Sequence, residues 1–364
     1  MRLLLIVLML ALVSAVCAEE RNDVHSQPAD TLKHREIGLI RETIRELDRT
    51  EDEYIEPQHY EFTVMLQTTR TFENFVLRSN DQSITLAPDG HTKIGPFFGW
   101  RWFFLGYTFD IKNFGFGSGG LLKEFDLSIY SSKIGVDVFR RHSGSDYKIR
   151  DVQLGGIDGD RFEGMPFGGV DVGMTGINAY YIFNHKHFSY PAAFSQSTCQ
   201  KISCGSWMAG LGYISNTLDL DREDLLRTLQ SRMDAGTKLQ LDSGMMVNDV
   251  KYSDFILSAG YAYNWVFAKN WLFCSSAQLA VSYKTSYGGL ADEKNRFDIS
   301  KVNPDFVGRF AVVYNNTRWY AGLSTIFRTN NYSTSRFKTN NMYGTINAYI
   351  GYNFVLKKKY RKRK

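Results

Sequence analysis

Between Met342 and Val355 apolar and polar residues alternate almost without fault. The even positions Met342, Gly344, Ile346, Ala348, Ile350, Tyr352 and Phe354 form an apolar file, while Tyr343, Thr345, Asn347, Tyr349, Gly351 and Asn353 are small, polar or both, and only Val355 breaks the pattern. A period of two predicts an extended strand with one apolar and one polar face. Strands of soluble sheets average about 5–6 residues, whereas a tilted strand crossing a bilayer needs about 9–11. The same pattern recurs from Tyr60 onward and predicts twelve strands, over 60–68, 92–99, 102–112, 123–132, 135–142, 171–184, 206–218, 252–266, 271–286, 305–314, 318–328 and 342–355. In 318–328, Trp319, Ala321, Leu323, Thr325 and Phe327 point to lipid while Arg318, Tyr320, Ser324 and Arg328 point inward.

Connections between these segments alternate short and long, as in bacterial barrels with short periplasmic turns and long outer loops. One departs from the alternation: 185–205 falls on the short side by parity yet runs for 21 residues. An even strand number leaves both barrel ends in the periplasm. The fold expected is therefore all-β, a transmembrane antiparallel up-and-down β-barrel of about twelve strands. A soluble barrel or sandwich shares the same period, because periodicity alone does not tell inside from outside. Strand length, aromatic strand ends and the N-terminus favour the membrane form.

That N-terminus reads as a signal peptide. Arg2 precedes the apolar run Leu3 to Val13 and the small-residue stretch Ser14-Ala15-Val16-Cys17-Ala18, with cleavage expected after Ala18. The organisation expected is a signal peptide over 1–18, a periplasmic extension over 19–58, the barrel over 59–356 and a basic tail over 357–364. Within the extension Ile37, Ile40, Ile44 and Leu47 predict one short periplasmic amphipathic helix. The 26 Phe, 21 Tyr and 6 Trp gather near strand ends, which suits two interfacial girdles better than one soluble core.

The formal charge of +5 belongs to the tail. Subtracting Arg2 and the seven basic residues between Lys357 and Lys364 from +5 leaves −3. No nucleic-acid recognition motif accompanies the basic run, so nucleic acid is not an expected partner. Outer-membrane lipid is, and the tail, expected to hang solvated in the periplasm, offers a contact for peptidoglycan or an acidic periplasmic partner.

Several segments carry a resemblance: Tyr54-Ile55-Glu56-Pro57; Gly99-Trp100-Arg101-Trp102-Phe103-Phe104-Leu105-Gly106-Tyr107; Ser189-Tyr190-Pro191-Ala192-Ala193-Phe194-Ser195-Gln196-Ser197 with Gln200-Lys201 and Gly205-Ser206; and Gly260-Tyr261-Ala262-Tyr263-Asn264-Trp265-Val266-Phe267-Ala268-Lys269-Asn270-Trp271-Leu272-Phe273. Together they resemble a family of Bacteroides-type bacteria catalogued as domain of unknown function 4421, over roughly Tyr54 to Phe354. The resemblance implies a secreted, outer-membrane-type barrel without an assigned activity, and it transfers no functional residue.

Candidate chemistry is sparse. Cys199 and Cys204 lie in one connection of an oxidising compartment and are a candidate disulfide, with free thiols as the alternative. His185 and His187 precede them, but the spacing matches no structural zinc motif, and no metal or cofactor is expected. Ser189 beside the two histidines, with Asp171 on the preceding strand, is the weak basis for a lipid-active enzyme, which no nucleophile-elbow motif supports. Charges expected in the lumen are Glu124, Asp126, Asp137, Arg141, Lys284, Arg309, Arg318 and Arg328. Arg309, Arg318 and Arg328 on neighbouring strands form a candidate basic strip, which suits passive passage of small polar or anionic solutes. The alternative is a non-conducting structural or anchoring barrel whose lumen is filled by paired charges.

Overall fold

The computed structural model describes residues 50–361, apart from 91, 101–102, 107–108, 111–123, 144–146, 156, 235–238, 243–244, 246–248, 288–301 and 334–336. The signal peptide, the helix expected around 37–47 and the side chains of Glu124 and Asp126 lie outside the described residues.

The strands are β1 (Ile55–Pro57), β2 (Tyr60–Ser79), β3 (Gln82–Pro88), β4 (Thr92–Trp100), β5 (Phe103–Gly106), β6 (Phe109–Asp110), β7 (Glu124–Tyr130), β8 (Ile134–Ser143), β9 (Tyr147–Leu154), β10 (Pro166–Phe167), β11 (Val170–Ile182), β12 (Thr198–Gln200), β13 (Cys204–Leu220), β14 (Asp249–Ala268), β15 (Trp271–Tyr287), β16 (Val302–Asn315), β17 (Trp319–Ser333) and β18 (Lys338–Leu356). Each of the twelve predicted segments contains a strand, the described residues of 102–112 falling in β5 and β6. Antiparallel pairing runs β7-β8-β11-β13-β14-β15-β16-β17-β18-β2-β4, and β4 then pairs with β5 and β6. The long ladder between β18 and β2, from Lys338 opposite Arg78 to Leu356 opposite Tyr60, joins the two ends of the strand series. Among the described residues no ladder links β6 to β7, whose connection passes through residues 111–123.

Alternation sorts the side chains as the sequence requires. On β15 the even positions Leu272, Cys274, Ser276, Gln278, Ala280, Ser282 and Lys284 are buried, while Leu279 is 72 % exposed. On β13 Leu211 is 68 % exposed, and on β14 Leu257, Phe255, Tyr261 and Trp265 are exposed. Apolar residues outside and polar ones within invert the order of a soluble barrel, and lipid is the solvent that makes this arrangement stable. Along β14 the exposed apolar file from Phe255 to Phe267 spans roughly 30 Å of barrel height at ordinary strand rise and tilt. Its lower edge is aromatic: Phe267 packs on Trp271, Trp271 on Tyr314, and Trp319 on Tyr352.

Local chemistry makes the short turns. Asn270 takes φ 66°, a conformation asparagine tolerates, in the turn between β14 and β15. At the next turn the Asn315 side chain accepts from the Thr317 amide at 2.9 Å, and Asn316 accepts from Trp319 at 2.8 Å. Such Asx bonds satisfy amides that the ladder leaves free. Val355, the break in the alternation, sits at φ 62° with its side chain exposed.

On the opposite side the described parts of the connections 69–91, 143–170 and 219–251 carry secondary structure of their own. β3 pairs with the upper part of β2 and with β9, and β9 with β10. Helix α1 (Pro191–Phe194) lies in the inner connection, and α2 (Arg222–Gln230) lies in an outer one. The Asp221 carboxylate caps α2 by accepting from the Asp224 amide at 3.0 Å.

Candidate functional site: a lumen filled at three levels

The anomalous 185–205 connection fills the inner end of the lumen. Its residues Phe188, Tyr190, Ala192 and Ala193 are buried against Ile182, Met208, Leu272, Cys274, Ala311 and Val313 of the barrel wall. Asn264 on β14 donates to the Ser189 carbonyl at 2.7 Å, and Gln196 donates to the Tyr349 hydroxyl at 2.6 Å. The Gln200 side chain accepts from the Ser189 amide at 2.8 Å and donates to the His187 carbonyl at 2.6 Å. Below this plug β12 pairs with β1, so the Ile55–Pro57 segment latches it from outside.

One level further in, the Arg309 guanidinium reaches across the barrel to the Asp137 carboxylate at 2.5 Å, and Arg328 reaches the same oxygen at 3.0 Å. Asp137 is on β8 and Arg309 on β16, five strands away in the ring. Arg309 is 0 % exposed. Its other nitrogen donates to the Tyr180 hydroxyl at 3.2 Å, and its charge sits 5.1 Å from the Tyr180 ring and 5.7 Å from the ring of Tyr190 in the plug. Tyr190 donates in turn to Ser276 on β15 at 3.1 Å. Arg328 rests 4.7 Å from the Phe139 ring, and Arg141 lies 5.2 Å from that of Tyr343. A charge so removed from water is stable only when it is paired and hydrogen-bonded.

The third level is acidic. Lys284 donates to Asp254 at 2.9 Å and to Asn330 at 2.5 Å, and lies 3.8 Å from Asp305. Asn216 and Asn330 both donate to Asp254 at 3.0 Å, while Ser282 donates to Asp305 at 2.6 Å. Lys284 also lies 5.3 Å from the Tyr252 ring, which stacks on Tyr332 at 4.7 Å. Above these rings the outer connections bury an apolar core of their own, including Phe75, Leu86, Tyr147, Phe162, Leu225 and Leu229. This cap is continuous with the outer ends of the barrel strands, which contribute Val172, Leu218, Tyr252 and Tyr332 to the same core. Asp89 ties its edge by accepting from Lys148 at 2.6 Å and Arg150 at 3.1 Å, and the Lys148 bond foremost holds the Asp89 carboxyl below its ordinary range.

The sequence-predicted residues are placed as follows. Arg309 and Arg328 face the lumen, where both pair with Asp137. Arg318 does not: it belongs to the turn before β17, is exposed, and donates to the Tyr352 hydroxyl at 2.7 and 3.1 Å. The basic strip is thus broken, because the Asx-closed turn at Asn316 ends the alternation one residue later than the sequence pattern suggested. Cys199 and Cys204 are free thiols. Cys199 sits against the Asn315 carbonyl and Cys204 accepts from the Asn184 side chain, on opposite sides of the turn that separates β12 from β13. Burial pushes the Cys199 thiol up to about 12, with Glu56 adding to the shift.

Ser189, His187 and Asp171 are not assembled into a catalytic set. Ser189 is buried, exchanges a hydrogen bond with Thr198 at 2.7 Å and accepts from the Ala192 amide at the start of α1. His187 is held by Glu51 and Asn184, each at 3.0 Å. Asp171 lies at the far end of β11 beside His142, roughly 35 Å along the strand from the plug. Sequence reasoning missed Asp254 and Asp305 as lumen carboxylates. Both share parity with inward neighbours, Asp254 with Tyr252 and Asp305 with Arg309, and this was the available signal.

An antiparallel membrane-type β-barrel with a filled polar lumen is the class these features define. The chain belongs to the family described as domain of unknown function (DUF4421), whose model matches residues 48–354. No curated protein matches the chain. Among solved structures it is similar to the outer membrane protease OmpT from Escherichia coli, at 8 % identity and a TM-score of 0.36, covering 84 % of this chain and 100 % of that one. A bacterial polysaccharide outer membrane secretin matches at 8 % identity and a TM-score of 0.32, covering 82 % and 99 %. The outer membrane protein OprG from Pseudomonas aeruginosa matches at 10 % identity and a TM-score of 0.23, covering 82 % and 98 %.

Proposed function

We propose that this chain is a bacterial outer-membrane barrel that does not conduct, and that it anchors its folded cap at the outer surface. The observation that carries this reading is the Arg309–Asp137 bridge, buried across the lumen and overlain by Tyr190 of the plug. Passive passage of polar or anionic solutes needs an open polar path, and a plug, a bridged charge layer and an apolar cap each interrupt one. Of the three arginines that favour an anion filter in the sequence, Arg309 and Arg328 are consumed by pairing with Asp137, and Arg318 lies outside the lumen. The exposed apolar belt and its aromatic edge support a bilayer setting, and the signal peptide expected over 1–18 would direct the chain to the outer membrane.

Planar-bilayer recording tests it. The refolded barrel, checked for folding by heat-modifiable migration, is expected to be electrically silent, and so is the Arg309→Gln/Arg328→Gln variant. Steady open-channel steps from the wild-type barrel, with an anion preference that falls in the variant, would make it a pore instead.

A further inference from the structure

We propose that the inner rim of the barrel, from the β14–β15 turn to the segment after β18, binds the phosphate headgroups of anionic phospholipids. The inference rests on the membrane-barrel reading above and concerns a surface which that reading does not use.

The rim is continuous in hydrogen bonds. The Asn315 amide donates to the Asn270 carbonyl, the Asn353 amide to the Arg318 carbonyl, and the Lys357 amide to the His59 carbonyl. Along this arc the side chains beyond the last strand residues are cationic: Lys269, Arg318, Lys358, Lys359 and Arg361, all exposed. No carboxylate answers them from their own strands, since the chain holds no Asp or Glu after Asp305 and none between Asp254 and Asp292. The acidic residues at this end are Glu51, Asp52, Glu53 and Glu56 on the lead-in to β2 and Glu61 at the start of β2; of these Glu51 pairs with His187 and Glu56 with His59.

The level of these charges selects the partner. The basic tail is expected from the sequence to hang free, but its described part, residues 357–361, folds back. Residues Lys358–Tyr360 form a turn of 3-10 helix, Tyr360 packs on His59 at 4.2 Å between ring centres, and Arg361 donates to the Leu356 carbonyl at 2.8 Å. Arg318 is pinned at the aromatic edge by the Tyr352 hydroxyl, with its charge 5.4 Å from the Tyr352 ring. Cations fixed beside a tryptophan and tyrosine band sit at headgroup depth in a bilayer. Peptidoglycan carboxylates lie farther from the membrane and favour a mobile tail over a pinned one.

The test uses the full chain reconstituted in vesicles that mix phosphatidylcholine and phosphatidylglycerol, with retained lipids counted by native mass spectrometry. Protease protection of the reconstituted barrel reports insertion separately. Wild type is expected to retain phosphatidylglycerol preferentially, and each of Lys269→Gln, Arg318→Gln, Lys358→Gln and Lys359→Gln is expected to lower that retention, by up to about fivefold per charge. The combined variant, inserted to the same extent, is expected to lose the preference. Equal retention by wild type and combined variant overturns the proposal, as does charge-dependent sedimentation with peptidoglycan sacculi in the absence of lipid preference. A chain that fails to insert overturns the membrane reading itself, and with it the rim proposal.

Discussion

Arg309 and Asp137 meet in the middle of the barrel, from strands five places apart, with no exposure of the guanidinium to solvent. The contact joins two walls that share no ladder. It acts as a cross-brace as well as an obstruction.

Removing the carboxylate leaves two arginines facing each other without a counter-ion. Asp137→Asn is therefore expected to destabilise the barrel by roughly 3–5 kcal/mol, the usual consequence of breaking a buried pair from one side. Urea unfolding from lipid vesicles, followed by tryptophan fluorescence, measures it. An effect below ~1 kcal/mol would mean that water reaches the pair.

Gly135 gives the Tyr180 ring its place. A Cβ at that position would overlap the ring, and Tyr180 is the hydroxyl and ring partner of Arg309. Gly135→Ala is expected to cost about 1–3 kcal/mol through overpacking. The same unfolding assay should rank it below Asp137→Asn, and a variant as stable as wild type would show that the ring has room to move.

Cys199 is expected to resist maleimide in the folded protein and to react once urea exposes it, with intact mass showing no bridge to Cys204. Its thiol rises from an ordinary 9.0 to about 12 by burial. A raised acid is protonated in both states below pH 9, so its contribution is complete there. Between pH 9 and about 12 only the unfolded chain releases the proton, and stability falls as pH rises. Cys199→Ala should flatten this part of the stability–pH curve.

Asp89 works in the opposite sense. Its carboxyl is held low by Lys148 and then Arg150, so the tie is present above the ordinary carboxylate range and lost as pH falls through the depressed folded value. Asp89→Asn should raise proteolytic nicking near Gln82–Pro88 and Tyr147–Leu154 at neutral pH without altering barrel migration. Acidification should erase the difference between variant and wild type.

The barrel strands were legible because lipid and lumen impose a strict period of two, and Met342 to Phe354 keeps it without a slip. β9 was not legible for the converse reason. Its buried residues are Tyr147 and Ile149, then Val152 and Leu154, so the parity changes midway where the ladder to β3 carries a bulge. The plug announced itself only as a connection too long for its side of the membrane. Its burial depends on partners such as Asn264 and Tyr349, which are remote in sequence and adjacent only once the ring exists. The same holds for Asp137, whose two arginines lie far down the chain, and no local pattern pairs them.

The seam between β2 and β18 joins the earliest and latest strands of the ring. Every other ladder in the ring described here links strands that follow one another closely in the chain, so most of the sheet is able to grow hairpin by hairpin. The seam has no such nucleus, and the entropy of bringing its two edges together is met in a single late step. Until β18 arrives, β2 carries an open edge of the kind that recruits foreign strands. Pairing with β18 covers that edge along nearly the whole of β2, so closing the seam is also what removes the chain's longest site for foreign strand pairing.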